Sequence, residues 1–211
     1  MWVMALEDVL ALKSLEPHQH FLKEGKLHRY NEKMFIIFIS HEWCGGVHPD
    51  PKLEQLTMFQ SVFGPEGLVA GRPDEIGKGV LYQKITTETK AADYPNLPAL
   101  LRSQAATKNI FVWLDFFCVP QTSFDPSCHE EQVNAISSIH SYVARSQLFV
   151  ALVPPLMHLS KPDKPCELNT WLRRGCACMG NSNPRTMDVP PTRPRVRLTS
   201  SQGAAWRRRH R

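Results

Sequence analysis

Apolar residues gather in three short unbroken runs along this chain, each ended abruptly by polar or turn-forming residues. Phe35-Ile-Ile-Phe-Ile39 stops at Ser40, His41, Glu42 and Trp43, with Gly45 and Gly46 just beyond. Ile110-Phe-Val-Trp-Leu114 stops at Asp115 and continues through Phe116-Phe-Cys-Val to Pro120. Leu148-Phe-Val-Ala-Leu-Val153 stops at Pro154-Pro155. Continuous β-favouring runs of this length predict strands buried on both faces, as in a parallel sheet covered by helices. Polar residues at the carboxyl ends of such strands stand where open α/β sheets place their ligands.

The segments between the runs carry helical spacing. Trp2, Leu6, Val9, Leu10 and Lys13 predict a short amphipathic helix over residues 2–13, so residues 1–33 read as a helical lead-in. Asp50-Pro51 reads as a helix start, with Asp as N-cap and Pro at the first helical position. Leu53, Leu56, Phe59, Val62 and Phe63 then form its apolar face. Residues 64–96 contain five glycines and three prolines, which predict a long loop with one short element near Val80 to Ile85. Leu97 to Ala106 reads as a helix. Ser127 and Glu130 fit a Ser-x-x-Glu capping box, opening a helix that carries Val133, Ile136, Ile139, His140 and Val143 on one side. A last helix begins between Glu167 and Arg174. The crossovers are long enough for parallel connections, and the first run reads as the central strand, flanked by the other two.

Composition adds little to this until the charge is divided. The 211 residues are 42% apolar, and no window approaches the roughly 18 unbroken apolar residues of a membrane span. Net charge is +5, yet residues 181–211 alone carry eight arginines and one acid, leaving the body slightly acidic. That tail also holds four prolines and almost no apolar clustering, so it reads as disordered. Glu7 and Asp8 interrupt the apolar N-terminus, which argues against a secretory signal. The six cysteines therefore read as reduced thiols, and the setting as cytoplasmic.

Ser40, His41, Glu42, Trp43 and Asp115 are the candidate ligand-binding residues. Ser40 and His41 suit a phosphate or ribose, but His41 would serve equally to cap its strand end. Trp43 could stack on a nucleobase or pack on the neighbouring loop. Asp115 could meet a ligand or anchor the following loop by accepting backbone amides. Cys128-His129, Cys176-x-Cys178 and His18-x-His20 lack the paired spacing of a zinc site, so no metal is expected. The terminal Arg207-Arg-Arg-His-Arg211 has no aromatic platform beside it, which argues against nucleic acid.

Phe38-Ile-Ser-His-Glu-Trp43, His48-Pro-Asp-Pro51, Trp113-Leu-Asp115 and Pro120-Gln121 together resemble the Toll/interleukin-1-receptor (TIR)-like domain, in its algal and protist form. The resemblance covers roughly residues 34–175, within a truncated domain taken as residues 34–180, and implies a flavodoxin-like α/β fold with helices on both faces. Residues 116–127 would be its BB loop. Trp171-Leu-Arg-Arg-Gly175 is similar to the start of the family's helix C, but the match then fails, and the family's catalytic glutamate falls on Gly180. The domain would thus be truncated, with three of five strands and an unpaired edge along Leu148 to Val153. The resemblance implies a signalling or protein-interaction module, partnering itself or other TIR-like domains, with no catalytic residue of its own. The alternatives are an NAD-cleaving hydrolase or a bare nucleotide-binding domain, with NAD as substrate or ligand.

Overall fold

The three apolar runs lie side by side and parallel. β3 (Phe35–His41) is central, with β5 (Ile110–Trp113) on one side and β6 (Leu148–Leu152) on the other. Ile37 aligns with both Val112 and Leu148, and Phe38 with both Trp113 and Phe149. The computed structural model from which this is read describes residues 1–64, 80–84, 103, 105, 106 and 108–178. Residues 1–176 form one compact unit. The expected helix over Leu97 to Ala106 falls largely outside the described residues, and Gly180 and the Arg-rich tail fall wholly outside them.

Among the described residues, three further strands extend the sheet to six, in the order β2-β1-β5-β3-β6-β4. β1 (Trp2–Ala5) pairs antiparallel with both β5 and β2 (Leu27–Arg29). β4 (Val80–Lys84) pairs antiparallel with β6 along its whole length, from Val80 opposite Leu152 to Lys84 opposite Leu148. The fold is α/β and flavodoxin-like in its parallel centre, and two expectations about its margins are corrected. Residues 1–33 are not a purely helical lead-in, since β1 and β2 belong to the sheet. The edge of β6 is not left unpaired, because β4 covers it.

Alternation along β3 sends its side chains to two faces, and both are covered. On one face Ile39, Val112 and Leu152 meet Val9 of α1 (Leu6–Ala11) and Leu56 and Phe59 of α3 (Glu54–Phe63). On the other, Phe38 lies stacked between Trp113 and Phe149, with ring centroids at 4.2 and 5.6 Å. Tyr142 closes over Trp113, and Trp171 over Phe149. Ile36, Ile37, Phe38, Val112, Leu148 and Val150 are all buried. Each such side chain contributes roughly 1.5–3 kcal/mol relative to an exposed one.

Local start signals act, but in a shifted register. Asp50 does not open α3 directly: Asp50 to Leu53 form a turn, Leu53 takes a left-handed φ of 58°, and the helix begins at Glu54. The Asp50 carboxylate still reaches the helix, accepting the Leu56 N–H at 2.8 Å. The Ser127 capping box does not form. Ser127 donates its hydroxyl to Asp125 instead, and Asp125 caps a 3-10 turn over Pro126–Cys128. α5 (His129–Ser137) and α6 (Ile139–Ala144) follow from Cys128 onward. Before them, α2 (His18–Lys23) packs on the one-turn helix α4 (Asp115–Cys118), Phe21 edge-on to Phe117. After β6 a hairpin of β7 (Leu156–His158) and β8 (Lys161–Cys166) leads into α7 (Leu168–Cys178).

Candidate functional site

β3 runs three residues past the level of Trp113, where β5 ends, and the chain leaving β5 turns into α4 beside it, so residues far apart in sequence converge there. His41, the last residue of β3, points from the α3 face of the sheet towards Asp115, the first residue of α4. His41 Nε2 lies 2.8 Å from Asp115 Oδ1, and the Trp43 indole N–H donates to Asp115 Oδ2 at 3.0 Å. On the other side of the ring, His41 Nδ1 lies 2.9 Å from Gln55 Oε1 in α3. The Gln55 amide nitrogen donates to the Glu42 carbonyl at 2.7 Å and to the Cys44 thiol at 3.0 Å.

These partners determine the state of His41. The Glu42 carbonyl can only accept, so the nitrogen of Gln55 faces it and the oxygen faces the imidazole. Nδ1 must then donate. Nε2 faces a carboxylate and must donate too, so the ring carries both protons and is a cation. Burial works against charge on His41, whose side chain is only 3% exposed, but Asp115 outweighs it and holds the imidazole above its ordinary value. Burial likewise opposes the Asp115 charge. The His41 charge and hydrogen bond, with those of Trp43 and the Phe116 N–H, nonetheless hold its carboxyl below the usual range.

The remaining candidates join the same cluster from the other face. Ser40 Oγ accepts the indole N–H of Trp171 at 2.9 Å, which ties α7 to the end of β3. The buried Glu42 carboxylate accepts the Thr170 hydroxyl, and the Glu167 N–H donates to that hydroxyl at 2.9 Å. Trp43 also packs edge-on against Phe116 at 5.8 Å. Ser40, His41, Glu42, Trp43 and Asp115 are thus all brought together. Among the described residues, no group of three or more His, Cys, Asp or Glu side chains could hold a metal ion.

The loop that follows β3 is pinned in place around this cluster. The Cys44 N–H donates to the Pro49 carbonyl at 2.7 Å, and His48 Nε2 lies 2.7 Å from the Leu15 carbonyl. Gly45 is required by close approach: a Cβ there would stand 2.7 Å from the His48 carbonyl oxygen and 2.8 Å from Pro51 Cγ. The space left beneath the cluster, between Ile39, His41, Gln55 and Leu152, is about 20 Å³. That is room for about one water molecule, against the roughly 300 Å³ or more of an ordinary ligand pocket.

No protein-family model, curated protein or solved structure matches the chain. Among the described residues, no helix is long and apolar enough to cross a membrane.

Gln55, Thr170 and Trp171 complete the cluster, and sequence reasoning assigned them no part in it. Gln55 had a signal: it sits in the first turn of an amphipathic helix, next to that helix's apolar face. A buried polar residue at such a position needs partners. Thr170 and Trp171 had none, because only the packing of α7 over β3 brings them near.

Proposed function

We propose that this chain is a TIR-like protein-interaction module acting in intracellular signalling, through self-association or binding to other domains of its kind, without catalysis of its own. The observation that carries this reading is the closure of the strand-end cluster on itself. Both His41 nitrogens and both Asp115 carboxylate oxygens are engaged by the protein's own groups. An imidazolium donating at both nitrogens has no lone pair with which to act as a base. The outward surface favours partners: Phe124 is exposed in the segment corresponding to the BB loop, and Val133 and Ile136 are exposed on α5. The Ile136→Asp variant, compared with the parent by sedimentation or light scattering over a range of concentrations, tests the reading. Equal association of the two would remove α5 from it, and monomers throughout would remove self-association.

A second reading, a bare nucleotide-binding domain, is favoured by one observation. Asp115 keeps 35% of its side chain exposed at the carboxyl end of β5. Calorimetric titration with NAD and with ADP-ribose tests it, and nicotinamide release from NAD above a heat-treated control would establish the hydrolase alternative instead.

A further inference from the structure

Two buried cysteines stand on adjoining segments beside the strand-end cluster. Cys44 lies in the loop after β3, Cys166 ends β8, and neither is in a disulfide. The hairpin and the loop are joined at this point by two contacts. The Leu159 N–H donates to the Cys44 carbonyl at 2.8 Å, and the Cys166 thiol approaches the Trp43 carbonyl at 3.7 Å. The Cys44 thiol is held from its other side by the Gln55 amide, which also faces His41. Burial, then the adjacent Cys166 thiol, pushes the Cys44 thiol up to about 12.

We infer that Cys44 and Cys166 form a latent redox pair, which a small-molecule disulfide such as oxidised glutathione closes into a bond locking the β7–β8 hairpin to the loop after β3. The chemistry is thiol–disulfide exchange. One cysteine, as thiolate, attacks the small disulfide and releases one small thiol. The other then attacks the protein sulfur of the mixed disulfide and releases the second. The two cysteine protons leave on the two released thiols, the cysteines are oxidised, and the small disulfide is reduced. Because the attacking form is the thiolate and burial holds the Cys44 thiol above its ordinary value, attack by Cys44 is slow at neutral pH and faster as pH rises. The bond would fasten the segments that carry Trp43 and Thr170, whatever the domain binds, so the inference is independent of the interaction reading.

The test uses the full chain equilibrated in glutathione buffers from reducing to oxidising, then alkylated and analysed by mass spectrometry. The expected product has lost two hydrogens and yields a peptide linking Cys44 to Cys166. Its rate of formation should rise roughly tenfold per pH unit below the thiol pKa. Its thermal midpoint should exceed that of the reduced protein by roughly 5–10 °C. Cys166→Ser and Cys44→Ser should each abolish the linked peptide, and Cys128→Ser should leave it. Because either of the first two changes could disturb folding, the parent's own peptide map decides the question. Recovery of only mixed disulfides with glutathione, or of linkages through Cys118 or Cys128 instead, would overturn the inference.

Discussion

His41 and Asp115, 74 residues apart in sequence, meet at 2.8 Å as a buried imidazolium and a carboxylate. Gln55 fixes one of the two ring protons, because its amide leaves only an oxygen to face His41 Nδ1. The pair joins the ends of two parallel strands, and Trp43 closes it from above. Burying charge is costly unless the partners are well placed, and removing one partner leaves the other stranded. The pair therefore governs how the strand ends respond to pH and to substitution.

His41 sits above its ordinary 6.5 and Asp115 below its ordinary 3.8. The His41 contribution to stability is complete below 6.5 and is lost as pH rises through its raised folded value. The Asp115 contribution is complete above 3.8 and is lost as pH falls through its lowered folded value. Their joint contribution is thus greatest from about pH 4 to about pH 6.5. In Asp115→Asn the His41 titration followed by NMR should move to lower pH, and the stability advantage in that window should shrink. An unchanged His41 midpoint would mean that the two groups are not paired in solution.

Gly45→Ala should destabilise the domain by about 1–3 kcal/mol, because its Cβ meets backbone and proline atoms that cannot easily move. Gly46→Ala is the control, since a Cβ there meets nothing nearer than Ser160 Oγ at 3.8 Å. Denaturant unfolding of both variants checks the contrast, and similar losses at the two positions would refute it.

Phe38→Ala should cost about 3–5 kcal/mol, since Phe38 fills the space between Trp113 and Phe149. The loss should appear as a lower denaturant midpoint together with altered Trp113 fluorescence. A cost under 1 kcal/mol would place Phe38 outside the packed core.

Proline at both Leu81 and Tyr82 should strip β4 from β6. Successive backbone amides of a strand point to opposite edges, so the pair of substitutions removes at least one donor facing β6. The bared β6 edge should then pair between molecules. Light scattering that rises more steeply with concentration than for the parent is the expected outcome. Identical curves would show that β4 is not what shields this edge.

Much of the fold's centre was legible in the residues themselves. A strand buried on both faces needs apolar side chains throughout, so Phe35–Ile39, Ile110–Trp113 and Leu148–Leu152 announce themselves without reference to neighbours. Their polar ends are equally local, which is why Ser40, His41, Glu42, Trp43 and Asp115 stand out as a group. Pairing is different, because it depends on what lies alongside. Trp2–Ala5 continues a helical spacing yet forms a strand, because β2 and β5 offer it backbone partners on both edges. Val80–Lys84 was visible as a short element, but nothing in it says that it pairs with β6. Asp50 and Ser127 carried sound start signals whose register the neighbouring turns then shifted. The roles of Gln55, Thr170 and Trp171, the charge on His41 and the adjoining of the segments that carry Cys44 and Cys166 were decided by the tertiary structure alone. Each of these is a hydrogen bond or contact across the packed domain, and local sequence patterns record burial and propensity but not which distant group will arrive to satisfy a polar atom.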